Sequence, residues 1–178
     1  MTAAEDDGKM FFAVLNDTQK DINATVNWKI VDMEYNTVMS GIYKESVDKL
    51  SSKKTDVIEI PERYTSERNK YFVIYELLSD KESIIKRIML LTENKRYYFK
   101  KANINISVQQ KKDGVYVSLV SDELARYVRL SANKDTCLFE DNYFDLLPNE
   151  EKIIRVESRC DIDEIKNDIK VKCLTDII

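Results

Sequence analysis

Carboxylates are the most plentiful reactive groups in this chain, 32 Asp and Glu among 178 residues. Two of them working as an acid and a base about 5–10 Å apart, one with a raised pKa, are what hydrolysis of a glycosidic bond requires. Asn149-Glu150 has the form of an Asn-Glu dipeptide that presents such an acid. It follows Pro148, however, and leads into an apolar run, so it reads as a turn. Asp141, Asn142 and Asp145 offer hard oxygens of the kind calcium takes, six to eight at a time. Their spacing lacks the central glycine and distal glutamate of a calcium loop, and Asx residues also bond their own backbone, so a structural turn is the reading adopted. Trp28 and the Tyr97-Tyr98-Phe99 cluster present flat aromatic faces of the kind that stack on a pyranose ring. Trp28 falls on the apolar phase of its segment and reads as core. Tyr97 and Tyr98 are kept as a candidate surface for carbohydrate or for packing between domains. Cys137, Cys160 and Cys173 are an odd set with no Cys-x-x-Cys spacing, which fits buried free thiols in a reducing compartment better than a disulfide framework.

What is missing narrows the chemistry further. The chain has no histidine, so no imidazole base, Ser-His or Cys-His pair or histidine metal ligand can form. Its three glycines, Gly8, Gly41 and Gly114, are too few and too scattered for a phosphate-binding loop or a dinucleotide fingerprint. No cofactor is expected. The net charge of −4 comes with interspersed signs, which argues against a nucleic-acid partner. No stretch approaches the ~18 apolar residues of a membrane span, and the acidic Met1–Gly8 is unlike a signal peptide, so a soluble, cytoplasmic protein is expected.

The elements that must position these groups show a period of two. Ile22, Ala24, Val26, Trp28 and Ile30 alternate with polar residues, as do Ala102, Ile104, Ile106 and Val108. Val115, Val117 and Leu119 resume that alternation after Lys112-Asp113-Gly114, which predicts a hairpin. The dense apolar runs 71–78 and 84–91 read as strands buried on both faces, or as helical segments, with β-branched and aromatic content favouring strands. Shorter strands are expected at 11–15, 57–60, 127–130, 153–156 and 169–174. Residues 43–50 fit either a helix or an irregular strand. Asp161 begins a short helix at 161–165. About twelve short strands at roughly twelve-residue spacing predict an all-β chain of two tandem antiparallel sandwiches, residues 1–99 and 100–178, with at most one short helix near the C-terminus. The junction is placed in the polar stretch 92–101.

Specific residues carry a family resemblance. Phe139-Glu140-Asp141-Asn142-Tyr143-Phe144-Asp145-Leu146-Leu147-Pro148, preceded by Ser121–Val128, resembles the last immunoglobulin-like domain of glycoside hydrolase family 2 β-mannosidases. The ending 162–176 is similar to that domain's closing strand. Val14-Leu15-Asn16-Asp17-Thr18 and Trp28-Lys29-Ile30-Val31-Asp32 resemble the penultimate sandwich of the same enzymes. The likeness extends from about residue 10 to the end. It departs at Asn149, where the family usually has glycine, and asparagine tolerates the left-handed turn required there. The resemblance implies that both sandwiches are immunoglobulin-like. It also implies that this is a non-catalytic C-terminal piece of a larger glycosidase whose two catalytic glutamates lie on an upstream TIM barrel, the expected partner. A barrel of ~250 residues does not fit in this chain, and no position here matches its motifs. Two alternatives are a carbohydrate-binding module and a free-standing immunoglobulin-like interaction protein.

Overall fold

The structure is a computed structural model and describes residues 1–79, 82–132, 137–159 and 161–177. The chain divides into two compact units, Met1–Tyr98 and Phe99–Ile178.

The first unit contains β1 (Thr2–Asp6), β2 (Lys9–Asn16), β3 (Ile22–Val31), β4 (Thr37–Val47), β5 (Ser51–Lys54) and β6 (Ile58–Glu59). The helical turn α1 (Glu62–Thr65) and the strands β7 (Phe72–Ser79) and β8 (Glu82–Leu90) complete it. One antiparallel sheet has the order β1-β2-β5, with β6 also paired to β2, and the other has the order β4-β3-β7-β8. Alternation makes the sandwich. Met10, Phe12 and Val14 from β2 face Val26, Trp28 and Ile30 from β3 and Val73, Tyr75 and Leu77 from β7 across one core. Apolar residues at every second position leave the other face of β2 and β3 to water.

The second unit contains β9 (Ile104–Lys111), β10 (Gly114–Ser121), β11 (Ala125–Ser131), β12 (Cys137–Phe139), β13 (Phe144–Leu146), β14 (Glu151–Ser158), α2 (Ile162–Asp168) and β15 (Lys170–Lys172). Its sheets are β12-β14-β10-β9 and β13-β11-β15. Val117, Leu119, Ile154 and Val156 pack against Val128, Leu130, Phe144, Leu146 and Cys173.

Two segments that the sequence pattern left open, 43–50 and 84–91, contribute edge strands. Residues 43–50 are extended as far as Val47, in the edge strand β4. Gly41 and Glu45 fall on the inward phase of β4 and break its periodicity, and an inward charge is one way an edge strand avoids pairing with another chain. Glu45 is neutralised there by Lys53 at 2.8 Å. β8 is not buried on both faces: it is an edge strand with Ile84 60% exposed. β7, in the middle of the sheet, is buried on both, and its outward Phe72 is covered edge-on by the rings of Tyr35 and Tyr97. The hairpin β1–β2 turns on Asp7 and Gly8, both left-handed (φ 46° and 77°), the geometry that Asp-Gly favours. In the expected hairpin β9–β10, Gly114 pairs with Lys111, so Lys112 and Asp113 form the turn. A helix does follow Asp161, whose side chain accepts from the N–H groups of Asp163 (3.0 Å) and Glu164 (2.9 Å), and it runs to Asp168.

In both units the chain passes between sheets twice at one place, and a polar contact ties the two crossings together. In the first, Asn16, 1% exposed, donates from Nδ2 to the carbonyls of Lys20 (2.8 Å), Asp48 (3.0 Å) and Val47 (3.1 Å). It thereby joins the β2–β3 connection to the β4–β5 turn. In the second, Ser121 Oγ donates to the Glu123 carbonyl (2.7 Å) while the Ser121 carbonyl accepts from Asn149 N–H (2.8 Å), joining the β10–β11 and β13–β14 connections. Asn149 is left-handed, φ 59°.

Gly41 is required by contact, not by backbone angle. It pairs with Trp28 across β3–β4, and a Cβ at Gly41 would lie 2.5 Å from Trp28 Cζ2. Gly41→Ala is therefore expected to destabilise the first unit by about 1–3 kcal/mol, the cost of overpacking a filled core. The check is a lower urea midpoint, followed by circular dichroism, at an unchanged denaturant slope.

Candidate functional site

The candidate residues are held by strands and tight turns, and they bond backbone groups and cationic side chains of neighbouring strands. Asn142 lies beside β11 and uses its amide as a substitute strand residue: Oδ1 accepts from Leu130 N–H (2.8 Å) and Nδ2 donates to the Leu130 carbonyl (2.9 Å). Asp145, in β13, accepts from Arg126 Nε and Nη2 (both 3.3 Å) and from Tyr127 N–H (3.2 Å). Asp141 pairs with Lys152 Nζ at 2.6 Å and accepts from Asn142 N–H at 2.8 Å. The three residues thus form a polar brace linking β11, β13 and β14, with their oxygens spent on N–H groups and cations. Among the described residues no group of three or more Cys, Asp or Glu is placed to hold a metal ion.

The Asn149-Glu150 dipeptide closes the turn into β14, Glu150 N–H donating to the Leu147 carbonyl at 3.2 Å. Trp28 is a core residue, 8% exposed, beside Phe12 with ring centroids 6.3 Å apart. The two tyrosines of the 97–99 cluster part company. The Tyr97 ring is buried and lies nearly perpendicular to Phe72, centroids 6.1 Å apart. Tyr98 is 55% exposed, its N–H donating to the Asn69 carbonyl at 3.1 Å. Cys173 is a buried free thiol in contact with Thr175 Oγ1 (3.2 Å), and Cys137 is a half-buried one. Cys160 lies outside the described residues.

Arg155 and Glu157, on the outward phase of β14, are shared by two clefts that sequence reasoning did not foresee. One, of about 630 Å³, is also lined by Gln110, Ser158 and Asp161. The other, of about 250 Å³, is lined by Leu138, Phe139 and Glu140. Two of their polar groups, Arg155 and Asp161, have structural tasks. Arg155 Nη2 donates to the Asp113 carbonyl at 3.1 Å and its Nε lies 3.3 Å from where a Cβ of Gly114 would stand, so the guanidinium props the β9–β10 turn. Asp161 caps α2. No signal in the one-dimensional pattern marks these clefts, because their walls come from four strands and a helix cap.

The displaced pKa values have the same structural origin. Asp122 is held below the ordinary aspartate range by hydrogen bonds from Asn103, first from its side chain and then from its backbone N–H, both at 2.7 Å. Glu45 is lowered by its hydrogen bond from Lys53. Tyr116 is raised and Asp113 lowered by the 2.8 Å hydrogen bond between them. None of these is a raised carboxylate of the kind a general acid needs.

Comparison with known proteins adds the family. A family model described as Mannosidase Ig/CBM-like domain matches residues 8–97, and one described as an Ig-fold domain of mannosidases matches residues 99–177. No curated protein sequence matches the chain. Among solved structures, the β-D-mannosidase of Dictyoglomus thermophilum superposes with a TM-score of 0.82 at 16% identity, over 97% of this chain and 21% of that one. The exo-chitosanase of Amycolatopsis orientalis superposes at 0.57 with 13% identity, over 94% of this chain and 24% of that one. The chain therefore spans about a fifth of the length of the β-mannosidase whose fold it shares.

Two expectations follow. Calcium at about 10 mM, enough to fill even weak oxygen-ligand sites, leaves Tm unchanged in a thermal scan, and a clear rise would assign the Asp141–Asp145 turn to a metal. For Asp122 the native pKa lies below the unfolded one, so its contribution is complete above the unfolded value and is lost as pH falls through the lowered native value. Asp122→Asn should accordingly flatten the acid limb of the stability curve, measured as urea midpoints from neutral pH to about pH 3.

Proposed function

The chain belongs to the Mannosidase Ig/CBM-like domain family, and on that premise we propose that it is a non-catalytic accessory region of a β-mannosidase-like glycoside hydrolase. The observation that carries the reading is the order of the matches: a mannosidase Ig/CBM-like domain over 8–97 is followed directly by a mannosidase Ig-fold domain over 99–177. The geometry supports it. The carboxylates singled out by sequence brace turns, cap a helix or neutralise cations. The parent enzyme would hydrolyse terminal β-mannosides on a separate catalytic barrel, which these two sandwiches would support. That barrel is the partner of this region in the proposal.

Two assays test it together. The 178-residue chain should not release nitrophenol from p-nitrophenyl β-mannoside, whereas the protein encoded by the full natural reading frame should. Turnover by the isolated chain, or an inactive intact protein, would overturn the reading.

A further inference from the structure

We propose that the outward face of the sheet β13-β11-β15 is a docking surface for a carboxylate-bearing protein surface, supplied by the part of the parent enzyme outside this chain; this rests on the accessory reading above. The argument starts from local costs that converge on this one face. β11 slips register between Ala125 and Val128, and within that bulge Tyr127 takes a left-handed backbone, φ 52°. Tyr143, whose N–H donates to the Val128 carbonyl at 2.8 Å, does the same at φ 60°. Bulky L-residues avoid this region, and bulges re-aim side chains. Both side chains point away from the core, since their neighbours Val128 and Phe144 point into it, and they remain 42% and 63% exposed.

A third cost lies on the next strand. Arg129 and Lys172 stand directly opposite one another in the β11–β15 register, and both are exposed. Like charges at such a pair destabilise a sheet. Asp145, the carboxylate closest in the sheet, does not relieve them, because it is occupied by Arg126 and by the N–H of Tyr127. Arg126 also lies over the Tyr127 ring, 4.8 Å from its centroid, and fixes it. The result is two exposed tyrosines beside a cation pair that no carboxylate neutralises among the described residues. Departures from local preference gather where function demands them, and exposed Tyr and Arg are what protein interfaces concentrate at their centres. The cation pair selects the partner's chemistry. A neutral mannoside brings no anion to Arg129 and Lys172, whereas an acidic protein surface does.

Hydroxyl-radical footprinting of tyrosine side chains tests this on the isolated chain and on the intact natural protein. Tyr127 and Tyr143 should be oxidised about fivefold more slowly in the intact protein, as expected for water-excluded interface positions. The double variant Arg129→Glu/Lys172→Glu should restore their reactivity there, while circular dichroism shows the isolated variant to be folded. Equal reactivity in the two wild-type proteins would overturn the proposal, as would protection that survives charge reversal. Protection of the isolated chain by manno-oligosaccharides would assign the face to sugar and overturn it as well. Exposed tyrosines in an intact protein that hydrolyses β-mannosides would defeat this inference and leave the accessory reading standing. Protected tyrosines in an intact protein without that activity would do the reverse.

Discussion

The buried amide of Asn16 is the fixed point of the first unit. A sandwich of under a hundred residues buries a limited core, so its two sheets must be held in register by something more directional than apolar contact. Here the chain crosses from one sheet to the other after β2 and returns after β4, and one side chain bonds carbonyls at both crossings while its own oxygen accepts from Thr18 N–H and Oγ. The second unit solves the same problem with Ser121 and the left-handed turn at Asn149. The two solutions differ in residue type and agree in placement, which points to a constraint set by topology.

Where one face of a strand is wet and the other dry, the pattern is visible in the sequence, and β2, β3, β9, β10 and β14 could be read directly. The unread strands are edge strands or short ones. β1 (TAAED) and β5 (SSKK) contain no large apolar residue, and they are strands because β2 supplies their hydrogen bonds. The Asp7-Gly8 turn was itself a strong hairpin signal, muted because one flank lacks alternation. β8 misled in the opposite direction, its apolar density being that of an edge strand with only part of its surface covered. The helical turn α1 was not foreseen; it follows Pro61, whose preset φ suits the start of a helix, and its Tyr64 OH donates to the Val38 carbonyl at 3.2 Å.

The candidate site was legible in a different way. Residue types and spacing favoured a turn over a cation site for Asp141, Asn142 and Asp145, although both tasks use the same oxygens. In the structure those groups bond Arg126, Lys152 and the backbone of Leu130. Tyr97 and Tyr98 show the limit of reading neighbours together: adjacent residues on an extended segment point to opposite sides, so one ring is buried and its neighbour's is in water. The tyrosines that do stand out, Tyr127 and Tyr143, are marked by backbone angles that no sequence pattern displays.

The Trp28–Gly41 contact has a practical corollary. Trp28 is the single tryptophan of the chain, and it sits in the core of the first unit. All three cysteines fall in the second unit, where Cys173 is a buried free thiol. Indole emission therefore reports the integrity of one sandwich and thiol accessibility that of the other. The two halves carry separate native probes, so their cooperativity can be resolved in a single unlabelled sample.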